Sequence, residues 1–443
     1  LLFSIVLLFF HLLMLLRVNL IYKKTFTDYK INFDKLSNKD YLRILFLLLS
    51  YIFKLKTAME IISILRTIKD PRREHLREHS FECIFYIAMA AVIGGAESWY
   101  EVADFGKMHE AFFSSRIKDF KRVPSHDTFN RVFSILSPDE LENGFRTWIR
   151  DICGKYRGLV AIDGKEICGA REEKCDGSFE SLRIVSAWAS ANAVSLGQEK
   201  VSEKSNEIKA IPLLIKALDL EGCIITIDAI ACQHEIVDVI IDAKADYLIS
   251  VKKNQKKLCK TIEDYFSEID IYGNKLNGKG HIPETRYRYS ISEESSHGRL
   301  EKRVCQVYNN GVLSKVLKWN GVNSVVCLTN TKKYIKSGKT TIEKHYYITS
   351  LPLDSDRIIE TIRSHWSIEN NLHWQLDVSF NEDAQKKKKN AARNFSVLNK
   401  IAMTQLKNNK RKASLKGKRK MAGWSDEFLA ELLDAPWHNE EIK

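Results

Sequence analysis

Hydrophobic and polar positions change their rhythm along the chain, and each change marks a predicted boundary. The opening stretch LLFSIVLLFFHLLMLL is almost continuously apolar, with 14 apolar residues in 16. From Met59 the spacing becomes helical. MEIISILRTIKDPRREHLREHS is an amphipathic start broken at Asp70-Pro71, and FECIFYIAMAAVIGGAESWYEVADFGK reads as a buried helix, a Gly94-Gly95 break and a second helix. In VPSHDTFNRVFSIL, Pro124 and Ser125 supply cap and first-turn chemistry, while Phe129, Val132, Phe133 and Leu136 fall on one face. Residues 59–155 are therefore expected to form an all-helical domain, either a plain bundle or a helix-turn-helix DNA-binding unit.

After residue 156 the period shortens to that of strands. GLVAIDGKEI is a predicted strand, LRIVSAWASANAVSLGQEKV a pair of strands about a turn, and EIKAIPLLIKALDL a helix. GCIITIDAIACQ is another apolar strand; HEIVDVIIDAKA is a helix and DYLISV a strand that runs into polar KKNQKKL. The order β-β-β-α-β-α-β implies an α/β fold, a mixed sheet with helices on its faces. Residues 258–350 are polar and strand-rich and read as a β-rich insertion. DSDRIIETIRSHWSIENNLHWQL then predicts one long helix, capped by Asp354 or Ser355.

Composition is that of a globular protein, and 443 residues leave room for two or three domains of roughly 100–200 residues. Charge changes the picture: 69 Lys and Arg against 56 Asp and Glu leave +13, which favours a polyanionic partner. From Lys386 to Trp424 there are 14 Lys or Arg and no acid, enough to account for the whole excess. That segment, continuing as a basic tail over 409–443, suits either a phosphate-contacting arm or a solvated surface. The nine cysteines form no CxxC pair, which argues against a zinc site or disulfide framework and for a reducing cytosol. Residues 1–58 lack the basic start and small-residue cleavage site of a signal peptide, and their apolar run is short for a membrane span. Rich in residues of AT-rich codons, they are expected to be a non-native or poorly structured extension ahead of a natural start at Met59, with a membrane anchor as the competing reading.

Candidate chemistry begins with two apolar strands that run into aspartate, LVAID at Asp163 and IITID at Asp228, and with Glu369 on the later helix. A carboxylate at a strand end is unfavourable to bury without a cation. Three of them converging would suit two hard divalent ions and hence phosphodiester chemistry. Asp377, Glu382 and Asp383 compete with Glu369 for the third place. His365, Glu369 and His373 recur at i, i+4 and i+8, so the histidines either add metal ligands, orient the carboxylate or touch DNA. Trp366 and Trp374 read as core residues or as platforms for an unpaired base.

A series of ordered motifs now makes the chain recognisable: DPRREHLREHS, GGAESWYEVADF, VPSHDTFNRVF, AIDGKEICGA, KSNEIKAIPLL, TIDAIACQ, DYLISVKKNQKKL, SHGRLEKR, HWSIENNLHWQLDVSFNED and AARNFSVLNKIA. Over about residues 59–408 it resembles the DDE transposases of bacterial insertion sequences, and closely the H-repeat-associated family found near Rhs elements. The resemblance implies a ribonuclease-H-like catalytic domain over 156–408 with Asp163, Asp228 and Glu369 as catalytic and metal-binding residues. It implies two Mg2+ or Mn2+ ions per site, and metal-dependent cleavage and strand transfer of an element's DNA ends. The implied partners are double-stranded DNA, as terminal inverted repeats and target, and further copies of the chain on that DNA. No small-molecule substrate or membrane role is implied, and the implied location is the bacterial cytoplasm, at the nucleoid. Residues expected to meet DNA are Lys165, Lys253, Asn254, Gln255, His297, Arg299, His365, Trp366, Asn370, His373, Lys410, Arg411 and Lys412. The chain departs from the broader Tyr-Arg-Glu-Lys signature, whose other places hold Ile362, His365 and Leu376, so that signature's DNA contacts do not transfer. A folded but inactive DNA-binding remnant and a ribonuclease-H-like repair nuclease remain as rival readings.

Overall fold

Four serines begin helices in the N-terminal part of the chain. The side chains of Ser80, Ser98, Ser125 and Ser137 accept the amides of Cys83, Glu101, Thr128 and Glu140. They thereby open α1 (Phe81–Ile93), α2 (Trp99–Met108), α4 (His126–Ile135) and α5 (Pro138–Cys153), with α3 (Glu110–Arg116) between α2 and α4. Each such cap satisfies an otherwise orphaned amide and contributes about 1 kcal/mol. The computed structural model describes residues 61–434 apart from 174–176, 202–206, 276–286, 297 and 310–317. The predicted extension 1–58, His297 and residues 435–443 of the predicted tail lie outside the described residues. Among the described residues no helix is long and apolar enough to cross a membrane.

The strands follow in the predicted order: β1 (Leu159–Glu173), β2 (Phe179–Ala189), β3 (Val194–Val201), α6 (Glu207–Ala217), β4 (Ile224–Ile227), α7 (His234–Asp242) and β5 (Asp246–Val251). β1, β4 and β5 are parallel neighbours; β2 and β3 add antiparallel to the free side of β1. Next come α8 (Lys256–Lys275) and four long strands, β6 (Tyr287–Ser296), β7 (Arg299–Asn309), β8 (Ser324–Tyr334) and β9 (Thr340–Thr349). They do not form a separate sheet. β9 pairs antiparallel with β5 from Leu248↔Thr349 to Val251↔Tyr346, giving one nine-stranded mixed sheet in the order β3-β2-β1-β4-β5-β9-β8-β7-β6. The apolar ends of β8 and β9 explain this, because Val325, Val326 and Ile348 continue the buried layer begun by β4 and β5.

The predicted long helix is α9 (Ser355–His365), a π-helical turn (Glu369–His373) and α10 (Trp374–Phe380). Asp354 is its cap, accepting the Arg357 amide at 3.0 Å. Ile358, Ile359 and Ile362 of α9 pack with Leu248, Val326 and Leu328 on one face of the sheet.

The basic segment divides in a way its composition does not reveal. α11 (Lys389–Asn408), α12 (Leu415–Trp424) and α13 (Asp426–Asp434) fold back on the N-terminal helices, and Trp99 of α2 meets Phe133 of α4 at 4.8 Å and Phe395 of α11 at 5.2 Å. Arg419 is buried and donates to the carbonyls of Val92, Ala96 and Ser379; buried Lys418 donates to Leu406 O at 3.0 Å and Asn409 O at 2.5 Å. These carbonyls sit at helix ends, where backbone acceptors are unmet and the helix dipole favours a cation. Part of the positive run therefore holds the fold together rather than facing solvent.

Candidate active site

The parallel register of β1 and β4 sets the site. Leu159↔Ile224 through Ile162↔Ile227 are paired, so Asp163 and Asp228 are the first residues beyond the paired segment. Adjacent strands lie about 4.7–4.9 Å apart, and residues at one level of parallel neighbours face the same side, so the two aspartates emerge together at the carboxyl ends of the strands. β1 does not end at Asp163, as its pattern predicts. It runs on to Glu173 because Asp163 to Ile167 keep antiparallel pairing with Ser186 to Leu182 of β2.

Glu369 approaches from the other side, on the π-helical turn that follows α9, which packs over β1 and β4. π turns are uncommon and recur at functional sites. This one is pinned: Lys407 Nζ donates to Asn371 O at 3.0 Å while lying 4.4 Å above the Trp188 ring, and the Ser367 hydroxyl meets that of Ser190 at 2.8 Å. Burial pushes the Asp163 carboxyl up to about 7, opposed by a hydrogen bond from the Gly164 amide and reinforced by the charges of Asp228, Glu369 and Glu207. Among the described residues no lysine or arginine pairs with Asp163, Asp228 or Glu369. A partly buried Asp163 whose pKa is raised by burial and by neighbouring acids, with no organic cation beside it among the described residues, fits a divalent ion, whose hardness matches oxygen donors.

The two histidines stand behind the carboxylates. His373 Nδ1 is 3.5 Å from Asp163 Oδ2, and burial, with Lys400 and Lys165 nearby, pushes its pKa down to about 3, so it is neutral. His365 Nδ1 meets Thr226 Oγ1 at 3.1 Å; burial lowers its pKa although Asp228 opposes the shift. His373 thus lies beside Asp163, and His365 beside Thr226 of β4.

The rival acids are engaged elsewhere. Lys165 Nζ lies 2.6 Å from Asp377 Oδ1 and 3.4 Å from Glu382 Oε2, and Asp383 Oδ1 accepts the Cys168 amide at 2.7 Å. Another acidic trio, Asp139, Glu142 and Glu199, brings one oxygen from each residue within 4.8 Å of the other two. The Asp163 group is not gathered that tightly. The trio already holds a protein cation, however: Arg393 Nη2 sits 2.7 Å from Asp139, 2.5 Å from Glu142 and 3.5 Å from Glu199. Chemical fit therefore favours the looser group, which has no cation, over the tighter one, which has.

Of the residues expected at DNA, Lys165 is spent on internal ion pairs and its side chain is 9% exposed. Asn254 Nδ2 donates to Ala229 O at 2.6 Å and Gln255 Nε2 to Cys232 O at 2.8 Å, holding the turn just after Asp228, whereas Lys253 is exposed. Arg299 is ion-paired with Glu301. Trp366, Asn370 and Trp374 are exposed around Glu369, and Lys410, Arg411 and Lys412 are exposed between α11 and α12. Sequence reasoning missed Glu207, the first residue of α6, whose only signal is its place at the head of an apolar helix.

Residues 62–149 match a family described as "DDE_Tnp_1-associated" and residues 156–404 one described as "Transposase DDE domain". The chain is 36% identical over 389 residues to "H repeat-associated putative transposase YhhI" of Escherichia coli (strain K12), spanning 86% of this chain and 98% of that protein. It is likewise 36% identical over 386 residues to "Putative transposase YncI" of Escherichia coli O157:H7, spanning 85% and 95%. Among solved structures, a piggyBac transposase synaptic complex with hairpin DNA gives a TM-score of 0.39 at 13% identity, over 86% of this chain and 82% of that one.

Proposed function

Because the chain belongs to the DDE transposase family, we propose that it cuts the DNA ends of its own mobile element and joins them to target DNA, using Asp163, Asp228 and Glu369. The observation that carries this is the register that brings Asp163 and Asp228 to the carboxyl ends of two neighbouring parallel strands, with the Glu369 charge acting on Asp163. Strand order β3-β2-β1-β4-β5, antiparallel for the first three and parallel from β1 to β5, supports a ribonuclease-H-like core over 156–408.

Asp163, Asp228 and Glu369 would hold Mg2+ or Mn2+, two ions per site, which when bound activate a water or 3′-hydroxyl nucleophile and stabilise the leaving oxygen. The chain's own residues do the positioning. His373 and His365, neutral and partly buried, orient Asp163 and the end of β4; Asn254 and Gln255 fix the turn after Asp228. Exposed Trp366, Asn370 and Trp374 offer stacking and hydrogen bonding to the DNA end, and Lys253, Lys410, Arg411 and Lys412 offer phosphate contacts. The helical region 59–155 adds DNA-binding surface, and pairing two element ends calls for more than one copy of the chain. Such work belongs at the bacterial nucleoid.

The test is a supercoiled donor carrying the element's flanking inverted repeats. Asp163→Asn, Asp228→Asn and Glu369→Gln should each abolish cutting while leaving end binding within a few-fold, since each change is nearly isosteric. Cutting that survives in all three variants would refute the assignment, and survival in Glu369→Gln alone would pass the third place to Asp377, Glu382 or Asp383. A wild-type protein that binds ends without cutting would be the inactive remnant; cutting without end preference would be the repair nuclease.

A further inference from the structure

A fourth carboxylate stands at this centre. Glu207 lies against the backbone of Gly164, the residue after Asp163: a Cβ at position 164 would come within 2.6 Å of Glu207 Oε1, 2.8 Å of its Cδ and 3.2 Å of Oε2. Only the missing side chain of Gly164 admits it. The charge of Glu207 acts on Asp163, and that of Asp228 acts on Glu207 in turn. Arg183 is the cation whose field reaches Glu207, but its guanidinium is hydrogen-bonded to Glu166 Oε2 at 3.1 Å and 2.9 Å. Among the described residues Glu207 has no hydrogen bond or ion pair of its own. A half-buried carboxylate pressed toward two others with nothing to pair it is unfavourable, and the glycine that makes room for it serves no turn here.

We infer that Glu207 is a fourth acidic residue of the metal centre, taking part with Asp163, Asp228 and Glu369 in holding divalent cations. The inference rests on reading those three as the centre. Charge balance supports it: two divalent ions carry four positive charges, three carboxylates answer three of them, and before DNA brings its phosphate Glu207 supplies the fourth in a partly desolvated site. Its contribution should therefore be largest for metal loading of the DNA-free protein.

Mn2+ binding to the DNA-free full chain, followed by titration calorimetry and by the electron paramagnetic resonance signal of free Mn2+, tests this directly. Glu207→Gln should weaken binding by about tenfold or more while the metal-free melting midpoint holds. Gly164→Ala should do the same, because the new Cβ displaces the Glu207 carboxylate; should Glu207→Gln lose its fold, Gly164→Ala carries the test alone. Arg183→Met should leave Mn2+ binding within about twofold of wild type. A folded Glu207→Gln protein that binds Mn2+ like wild type, or an Arg183→Met protein that loses it equally, overturns the inference. Asp228→Asn separates the two failures: if it abolishes Mn2+ binding while Glu207→Gln does not, only the role of Glu207 falls. If it too binds normally, the reading of the centre falls.

Discussion

Lys165 joins the strand that bears Asp163 to the helical run that bears Glu369, and replacing it by Met should be expensive in a way that can be apportioned. Its ammonium reaches Asp377 at 2.6 Å and Glu382 at 3.4 Å, with side chains 9% exposed for Lys165 and 0% for Glu382. Burial alone would lower the Lys165 pKa; Glu382 and Asp377 outweigh it and raise it. Burial likewise would raise Glu382, yet Lys400 and Lys165, with hydrogen bonds from Ser396 and Asn399, hold it below the usual range. Lys165→Met thus leaves Glu382 facing Lys400 alone and takes from Asp377 the lysine that pairs with it. Breaking one side of a buried pair costs about 3–5 kcal/mol, and since Asp377 is 40% exposed and can turn to water, the lower end is expected. Glu382→Gln should cost a similar amount by leaving two lysines with a single acid. The double variant removes one charge of each sign, so its loss should fall short of the sum of the singles by about 1–3 kcal/mol. Urea unfolding followed by far-ultraviolet circular dichroism gives all four corners of the cycle, and the singles should also slow donor cutting more than they weaken end binding. Single losses below about 0.5 kcal/mol, or a strictly additive double variant, would show that these charges are not coupled and that the link between β1 and the helical run of Glu369 lies elsewhere.

Three further outcomes follow from buried and exposed cations. Lys387 donates to Glu97 O at 2.6 Å, lies 3.4 Å over the Phe395 ring, and is pushed by burial from 10.5 down to about 8. Between those values the unfolded chain binds more protons than the folded one, so this group's penalty is constant below about pH 8 and is relieved as pH rises. Wild type should gain about 2 kcal/mol more than Lys387→Met between about pH 7.5 and 9.5 in urea midpoints, and equal gains would refute the burial of this charge. Changing Lys410, Arg411 and Lys412 together to Ala should flatten the slope of log affinity against log salt by about 0.9 for each phosphate no longer neutralised; an unchanged slope makes that loop a bystander. Arg419→Met, which orphans the carbonyls of Val92, Ala96 and Ser379, should cost about 3 kcal/mol, and a loss under about 1 kcal/mol would mean that α12 is not needed to hold α1.

The order of strands and helices was legible because burial imposes a period on each element. Leu159–Ile162, Ile224–Ile227 and Tyr247–Val251 are largely apolar runs of the length that a doubly covered strand requires, and the helices between them carry apolar residues at helical spacing. Which strands join was less so. β6 to β9 read as an insertion because they are polar at the edge, and nothing local announces that Thr349 pairs with Leu248 and carries the sheet across. The fate of the basic residues was hidden for a similar reason. Lys407, Lys418 and Arg419 look like their exposed neighbours Lys410 and Lys412, and only the positions of distant helix ends decide which are drawn inward.

The site divides along the same line. Asp163 and Asp228 stood out because each breaks an apolar run at the same place in its strand, so one local rule singled out both as candidates, and the parallel register turns that shared place into proximity. Glu369 had no such mark against Asp377, Glu382 and Asp383. The separation comes from partners far away in sequence: Lys165 and the Cys168 amide engage the other three, and among the described residues Glu369 alone of the four has no cation or amide to answer it. Glu207 is the extreme case. Its approach to Gly164 depends on the absence of an atom there, and an absent side chain leaves no trace in composition, charge or period. A carboxylate at a helix start is the ordinary answer to the helix dipole, so its local pattern argues for nothing beyond capping. Only when α6 is laid against β1 does the same residue acquire two acidic neighbours without gaining a cation of its own. Negative charge that accumulates with no protein cation to answer it is the electrostatic situation a divalent ion would relieve, and it is this deficit, more than the motif letters, on which the proposed centre rests.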